Sequence, residues 1–410
     1  MMTDGGKETG KAGNIPDIRM IYPSLPSMLG KFDKYARQDC FAGTTREELV
    51  LWQQRMRRLL SGLLGIPKME TCPLNAVVED VVLLPGNIRR EHIRIQVEPE
   101  VWMPLYLLVP AGADASTRPF ICPPGHNGAG KYTVAGLSRY QAVEERIRHY
   151  HYDYGMQLAK LGYVAVCPDC RGFGERREDL ADAQSLETAL GGDCYRLAHM
   201  GIPLGIPVAG MLVWDLMRLV DYLEERQKTE ALTPSGLGEH TAGPGGPVPE
   251  AVAGPETYPA RSGGPAWDSR KVSCLGFSGG GMQTLFLAAL DERISLGVIS
   301  GYLYGYRDAL LTMNRNCSCN YVPHLWEHLD MGDIASLIAP RPLLVQSCRE
   351  DRLNGPRGVA NAVEQVEIIR KAYELMEIPG RLVHEICQGT HRWHGEHLEI
   401  HLGQLLSSCD

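Results

Sequence analysis

Gly276-Phe277-Ser278-Gly279-Gly280 is a spacing that can make a serine reactive. A serine hydroxyl is a weak nucleophile at neutral pH and needs a base beside it and an acid to orient that base. The pentapeptide follows the β-type run from Lys271 to Leu275 and precedes the apolar run from Met282 to Leu290, which predicts strand, sharp turn and helix. Such a turn holds Ser278 in a strained conformation with its hydroxyl at the carboxyl edge of a sheet. Gly276 and Gly280 flank it because a Cβ there would collide with the neighbouring helix or strand. The backbone N–H of Gly279, opening the helix, then points at a developing oxyanion.

Downstream, two further strands end in candidate partners. Leu343 to Gln346 leads into Ser347-Cys-Arg-Glu-Asp351, offering Asp351 or its neighbour Glu350. Leu382 to Ile386 leads into Gln388-Gly-Thr-His391-Arg-Trp-His394, offering His391 or His394. Serine, acid, histidine, each after its own later strand, is the order in which the fold type with this nucleophile turn supplies them. Asp351 is preferred over Glu350 because the acid sits a few residues beyond its strand. His391 is preferred over His394 as the first histidine after the last strand. A second oxyanion donor is expected from Gly125-His126-Asn127-Gly128, through the main chain of His126 or Asn127.

The elements that must position these groups follow from periodicity. Thr44 or Thr45 can cap a helix running to Leu64, with Leu49, Trp52, Met56, Leu59, Leu60 and Leu63 on one face. Val77–Leu84, Ile93–Gln96 and Val101–Val109 read as strands, the last two forming a hairpin across Glu98-Pro99-Glu100. Thereafter strands and helices alternate. The strands are 120–122, 163–167, 272–275, 296–300, 343–346 and 382–386. The helices are 141–160, 207–226, 279–291, 363–376 and 396–406. The fold class implied is α/β, a mostly parallel central sheet with helices on both faces and an N-terminal helical extension. Residues 1–15 read as a disordered tail, 16–70 as the helical extension and 71–410 as the α/β domain. Residues 233–266 hold seven prolines and eight glycines and are expected to be a disordered insertion within it.

Composition narrows the function. The 410 residues carry 41 basic and 49 acidic side chains, a formal charge of −8, which disfavours a nucleic-acid partner. No run of 18 or more apolar residues occurs, so no membrane span is expected. The polar, glycine-rich start lacks the apolar core of a signal peptide, which predicts a cytoplasmic protein whose 12 cysteines are mostly free thiols.

The chain resembles the α/β-hydrolases, and within them the bacterial esterases related to dienelactone hydrolases and acetyl xylan esterases. The resemblance is carried by Pro104–Val109, Pro124–Lys131, Tyr152–Arg176 with its Asp169-Cys-Arg-Gly-Phe-Gly174, Gly276–Gly281, Ala339–Leu343 and Gly389–Gly395. It implies a serine esterase with Ser278, Asp351 and His391 as catalytic triad, and Gly279 with the His126 loop as oxyanion hole. Three departures stand out. Dienelactone hydrolases proper carry a cysteine at the position of Ser278. The carbohydrate-acetyl-esterase pattern has Gln at the position of Gly279, and prolyl-peptidase relatives have Tyr there.

The expected activity is hydrolysis of small-molecule carboxylic esters, acetylated carbohydrates among them, without metal or organic cofactor. Its rivals are a peptidase or amidase using the same triad, and a non-catalytic binding protein. Cys167-Pro-Asp-Cys170 has redox-motif spacing and Cys317-Ser-Cys319 offers two metal ligands. Both are set aside, the first as a structural turn in which Asp169 and Arg171 tie the loop together. His397 and His401, four apart, are read as an exposed helix face rather than a metal pair.

Overall fold

The computed structural model describes residues 22–138, 140–178, 190–232 and 266–407. The expected tail 1–15, and all of the expected insertion 233–266 except Ala266, lie outside the described residues; Ala266 is fully buried. Among the described residues, nine strands form one sheet: β1 (Val77–Leu84), β2 (Ile88–Glu98), β3 (Val101–Pro110), β4 (Pro119–Ile121), β5 (Val164–Pro168), β6 (Ser273–Phe277), β7 (Leu296–Ser300), β8 (Leu343–Cys348) and β9 (Leu382–Cys387). Their order is β1-β2-β3-β5-β4-β6-β7-β8-β9. The β1–β2, β2–β3 and β3–β5 pairs are antiparallel, and β4 to β9 run parallel. The α/β class with a mostly parallel sheet is therefore observed.

Both faces of the sheet are covered, and alternation along β3 makes this visible. Leu105, Leu107 and Val109 join one apolar cluster, while Tyr106 and Leu108 join another. The first cluster is closed by helices α1 (Leu25–Tyr35), α2 (Arg46–Leu63), α6 (Val208–Leu232), α7 (Gly279–Leu290) and α8 (Val359–Leu375). The second is closed by α4 (Tyr154–Lys160) and α9 (Leu398–Ser407).

Helix α2 begins where its capping box dictates. Thr45 Oγ1 accepts from Glu48 N–H at 3.2 Å and Glu48 Oε2 accepts from Thr45 N–H at 3.1 Å. Its Leu49, Trp52, Met56 and Leu60 are buried in the larger core. Gln53 also donates to the carbonyls of Ser336 and Ala339, at 2.8 and 2.9 Å. The N-terminal helices thus pack on the helical layer of the sheet.

The single helix expected over 141–160 is two, α3 (Gln141–Tyr150) and α4. His151, between them, takes a left-handed φ of 54°, which a continuing helix does not allow. The break sends Tyr152 and Tyr154 beneath the loop that follows β4. No single helix among the described residues is long and apolar enough to cross a membrane.

Candidate active site

Ser278 sits at the tip of the β6–α7 turn with φ 57° and ψ −121°. A non-glycine residue in this region is strained. A Cβ on Gly276 would lie 2.1 Å from the carbonyl oxygen of Gly280, and one on Gly280 would lie 2.2 Å from that of Pro123. The backbone N–H of Ser278 donates to Ser300 O at 2.8 Å, fastening the turn to β7.

Three groups from three strand ends meet here. His391 Nε2 is 2.9 Å from Ser278 Oγ, and His391 Nδ1 is 2.6 Å from Asp351 Oδ2. Asp351 is buried, and its other oxygen accepts from Leu353 N–H at 2.8 Å, so the carboxylate cannot swing away. The His391 ring leans on Phe277 at a centroid distance of 4.5 Å. A hydroxyl, an imidazole and a carboxylate in serial hydrogen-bond contact can move a proton from oxygen to nitrogen and stabilise the resulting cation.

The two alternatives stand apart from this chain. Glu350 is exposed at the pocket rim. His394 is buried with its Nδ1 3.5 Å from Glu396, and its carbonyl accepts from Gln346 at 2.7 Å, pinning the β9 loop to β8. Trp393 is fully buried and donates to Gln157 at 2.9 Å, so it packs instead of lining the pocket. His397 and His401 both face Glu385 on β9, at 2.7 and 3.4 Å.

A cleft of about 700 Å³ opens over Ser278. Its walls include Tyr152, Tyr302, Tyr304, Arg315 and Arg352, with His126 and Asn127 at one side. Gly279 N–H belongs to the first turn of α7, where no intrahelical acceptor exists. The His126 carbonyl accepts from Tyr152 Oη at 2.6 Å, so the trans peptide aims the Asn127 N–H away from Tyr152. Asn127 itself adopts φ 59°, a conformation asparagine tolerates better than most residues.

The loop after β5 braces this side. Asp169 bonds Lys131 at 2.7 Å with both side chains fully buried, while Arg171 and Arg176 grip Asp215 on α6 at 2.9 and 2.6 Å. Arg171 also bonds Glu98. Asp169 and Arg171 therefore serve two separate ion clusters. Burial alone would raise the Asp215 carboxyl, but the two guanidiniums outweigh it and hold it below the ordinary range. Cys170 lies 2.7 Å from Gln283, and both it and Cys167 are free thiols.

The same loop lays Phe173 edge-on against the His126 imidazole, with centroids 5.2 Å apart and planes at 72°. Around that imidazole stand Cys194 of α5 (Cys194–Gly201), Cys317 and Cys319. The Cys317–Cys319 pair was visible in the sequence, but nothing there pointed to Cys194 or to His126 as their companions. Tyr152 is marked there only as the start of a stretch carrying the resemblance, with no role at the site.

A model of the Abhydrolase family (Abhydrolase_7) matches residues 26–225, which include the His126 loop. A Bacillus subtilis (strain 168) protein provisionally named hydrolase YtaP is 27% identical over 205 residues, covering 50% of this chain and 52% of its own. The chain thus spans about half the length of that curated relative. Among solved structures, a Bacteroides fragilis NCTC 9343 protein provisionally described as an acetyl xylan esterase matches with TM-score 0.66 and 17% identity, over 90% of this chain and 83% of the other. A glucuronoyl esterase from Solibacter usitatus matches with TM-score 0.56 and 15% identity, over 90% and 94%. Identities this low speak to the fold alone.

Proposed function

We propose that this chain, which has the α/β-hydrolase fold, hydrolyses carboxylic esters through an acyl-enzyme on Ser278. The observation that carries this reading is the unbroken contact from Ser278 Oγ to His391 to Asp351. His391 Nε2 takes the Ser278 proton as Oγ attacks the ester carbonyl carbon. Asp351 accepts from the Nδ1–H and holds the tautomer that leaves Nε2 free. The tetrahedral oxyanion is met by the N–H of Gly279 and by a main-chain N–H of the His126–Asn127 turn. Collapse expels the alcohol, which takes the proton from His391. A water molecule, deprotonated by the same imidazole, then attacks the acyl carbon and releases the acid and free Ser278.

Esters are favoured over amides because Gly279 stands where peptidase relatives place a tyrosine. The neighbours named as acetyl xylan and glucuronoyl esterases make esterified sugars the first natural substrates to try. The test pairs p-nitrophenyl acetate and longer acyl esters, acetylated sugars and aminoacyl anilides with fluorophosphonate labelling. The wild type is expected to turn over esters and to take the label on Ser278. Unchanged ester turnover in Ser278→Ala, or a label on a different residue, would sink the proposal.

A further inference from the structure

Four side chains from three distant stretches of chain converge behind the His126 turn. Their ligand atoms, His126 Nε2 and the sulfurs of Cys194, Cys317 and Cys319, all lie within 4.8 Å of one another. His126 Nε2 is 3.3 Å from the Cys319 sulfur and 3.7 Å from that of Cys194. We propose that these four groups form a closed tetrahedral site for a divalent zinc ion, which fixes the wall of the pocket opposite His391.

The distances carry the argument. A tetrahedral zinc holds sulfur at about 2.3 Å and imidazole nitrogen at about 2.0–2.1 Å, which sets nitrogen and sulfur roughly 3.6 Å apart. The two separations in this structure, 3.3 and 3.7 Å, bracket that value. Three cysteines and one histidine are also a donor set of the soft, structural kind, with no position left for water.

The surroundings supply what such a site requires. Cys194 and Cys319 are buried, while His126 and Cys317 reach the cleft. Asn320 Nδ2 points at the Cys319 sulfur from 3.7 Å, and its own oxygen accepts from Tyr302 Oη at 2.7 Å. An N–H directed at a thiolate and itself anchored is the outer support that metal-bound sulfur usually has. Phe173 fixes the plane of the His126 ring. The opposite edge of that ring leaves no room for a side chain at 279, since a Cβ on Gly279 would lie 2.6 Å from His126 Nδ1. The departure from Gln at this position is thereby explained.

On binding, each thiol sulfur gives up its proton to solvent and donates an electron pair to the ion, and nothing is oxidised. The ion takes no part in acyl transfer. It joins the β4 loop to α5 and to the 317–319 turn, so its loss would slacken the main-chain donors of the His126–Asn127 turn.

The inference does not depend on the esterase reading, because its primary readout is metal. The full chain, purified under reducing conditions without chelator, should hold close to one zinc per chain by elemental analysis. Removal of zinc and titration with Co²⁺ should give the absorption of tetrahedral, thiolate-bound cobalt, which Zn²⁺ then displaces. Cys317→Ser combined with Cys319→Ser should lower bound zinc at least tenfold. His397→Gln, at the separate Glu385 cluster, should leave it unchanged. If the double variant fails to fold, the cobalt spectrum of the wild type still decides. Absence of metal uptake by the reduced wild type, an octahedral cobalt spectrum, or zinc retained in full by the double variant would each overturn the proposal.

Discussion

The two walls of the cleft are built on different principles. On one side Ser278, Asp351 and His391 stand at the carboxyl ends of the parallel strands β6, β8 and β9, each within a few residues of a fully paired ladder. On the other side His126, Tyr152, Phe173, Cys194 and Cys317 come from loops and short helices joined by side-chain contacts. Strand ends inherit their positions from backbone hydrogen bonds, which depend little on which side chains are present. The opposite wall inherits its position from buried polar pairs, each of which one substitution can remove. The first wall should therefore respond to mutation in rate, and the second in stability and in how well the site is held together.

The largest effects belong to the strand-end wall. Ser278→Ala should remove ester turnover by a factor of at least about 10⁴ while the thermal midpoint stays near that of the wild type. Asp351→Asn should come close to it, at about 10³–10⁴, because an amide can hold His391 in the wrong tautomer. Steady-state rates with p-nitrophenyl acetate, alongside melting curves, check both. A fall in stability that matched the fall in rate would break the contrast, since the strand-end groups would then be structural.

The opposite wall should answer in the other currency. Asp215 is fully buried between Arg171 and Arg176, so Asp215→Ala leaves the buried Arg176 without its carboxylate and Arg171 with Glu98 alone. The expected loss is about 3–5 kcal/mol in urea unfolding. Residual activity per folded molecule should fall far less than in Ser278→Ala. A variant as stable as the wild type would show that the network does not brace the loop.

This contrast also explains what was legible in the sequence. The strand-end groups follow apolar runs that announce themselves, and β1 and β7 fall on their expected bounds. Strand β2 was expected only from Ile93 because Arg89, Arg90, Glu91 and His92 break the apolar pattern. In the structure, Arg90 reaches Asp80 at 2.6 Å, and Glu91, itself buried, meets Arg226 at 2.7 Å. Charged residues can occupy a strand when a partner waits on the next element, and a single sequence does not reveal the partner. The short helices Leu325–His328 and Met331–Ser336 have too few turns to show a period. The cysteine cluster failed to register for a related reason. His126 and Cys319 are 193 residues apart, and only the 317–319 spacing is local.

Asp330, a buried anchor of the cleft segment that follows β7, offers a test through pH. It caps Met331–Ser336, accepting from Met331 N–H at 2.8 Å, and also accepts from Tyr306 N–H at 3.0 Å. It thereby anchors the segment carrying Tyr302 and Tyr304 into the cleft. Burial raises its carboxyl from 3.8 to about 6. Near pH 7.5 the group is ionised in both folded and unfolded chains, and the folded state bears the desolvation. As pH falls through about 6 the folded state takes the proton first, so this group adds stability down to about pH 4 and nothing further below. The wild type should therefore gain about 2–3 kcal/mol relative to Asp330→Asn between pH 7.5 and 4. Parallel urea-derived stability curves for the two proteins would remove Asp330 as a titrating anchor.

The smallest effect separates the two walls at their closest approach. Tyr152 Oη donates to the His126 carbonyl at 2.6 Å, and its ring packs on Phe277 with centroids 5.6 Å apart. Tyr152→Phe keeps the ring contact and deletes only the hydrogen bond, so stability should fall by about 1 kcal/mol. If the His126–Asn127 turn supplies an oxyanion donor, the freed peptide should lower kcat several-fold with KM little changed, because the donor matters more as charge develops on the carbonyl. A rise in KM alone would instead place the turn in ground-state binding. An unchanged kcat and KM beside the same loss of stability would make Tyr152 a purely structural tie, leaving Gly279 N–H as the donor that matters.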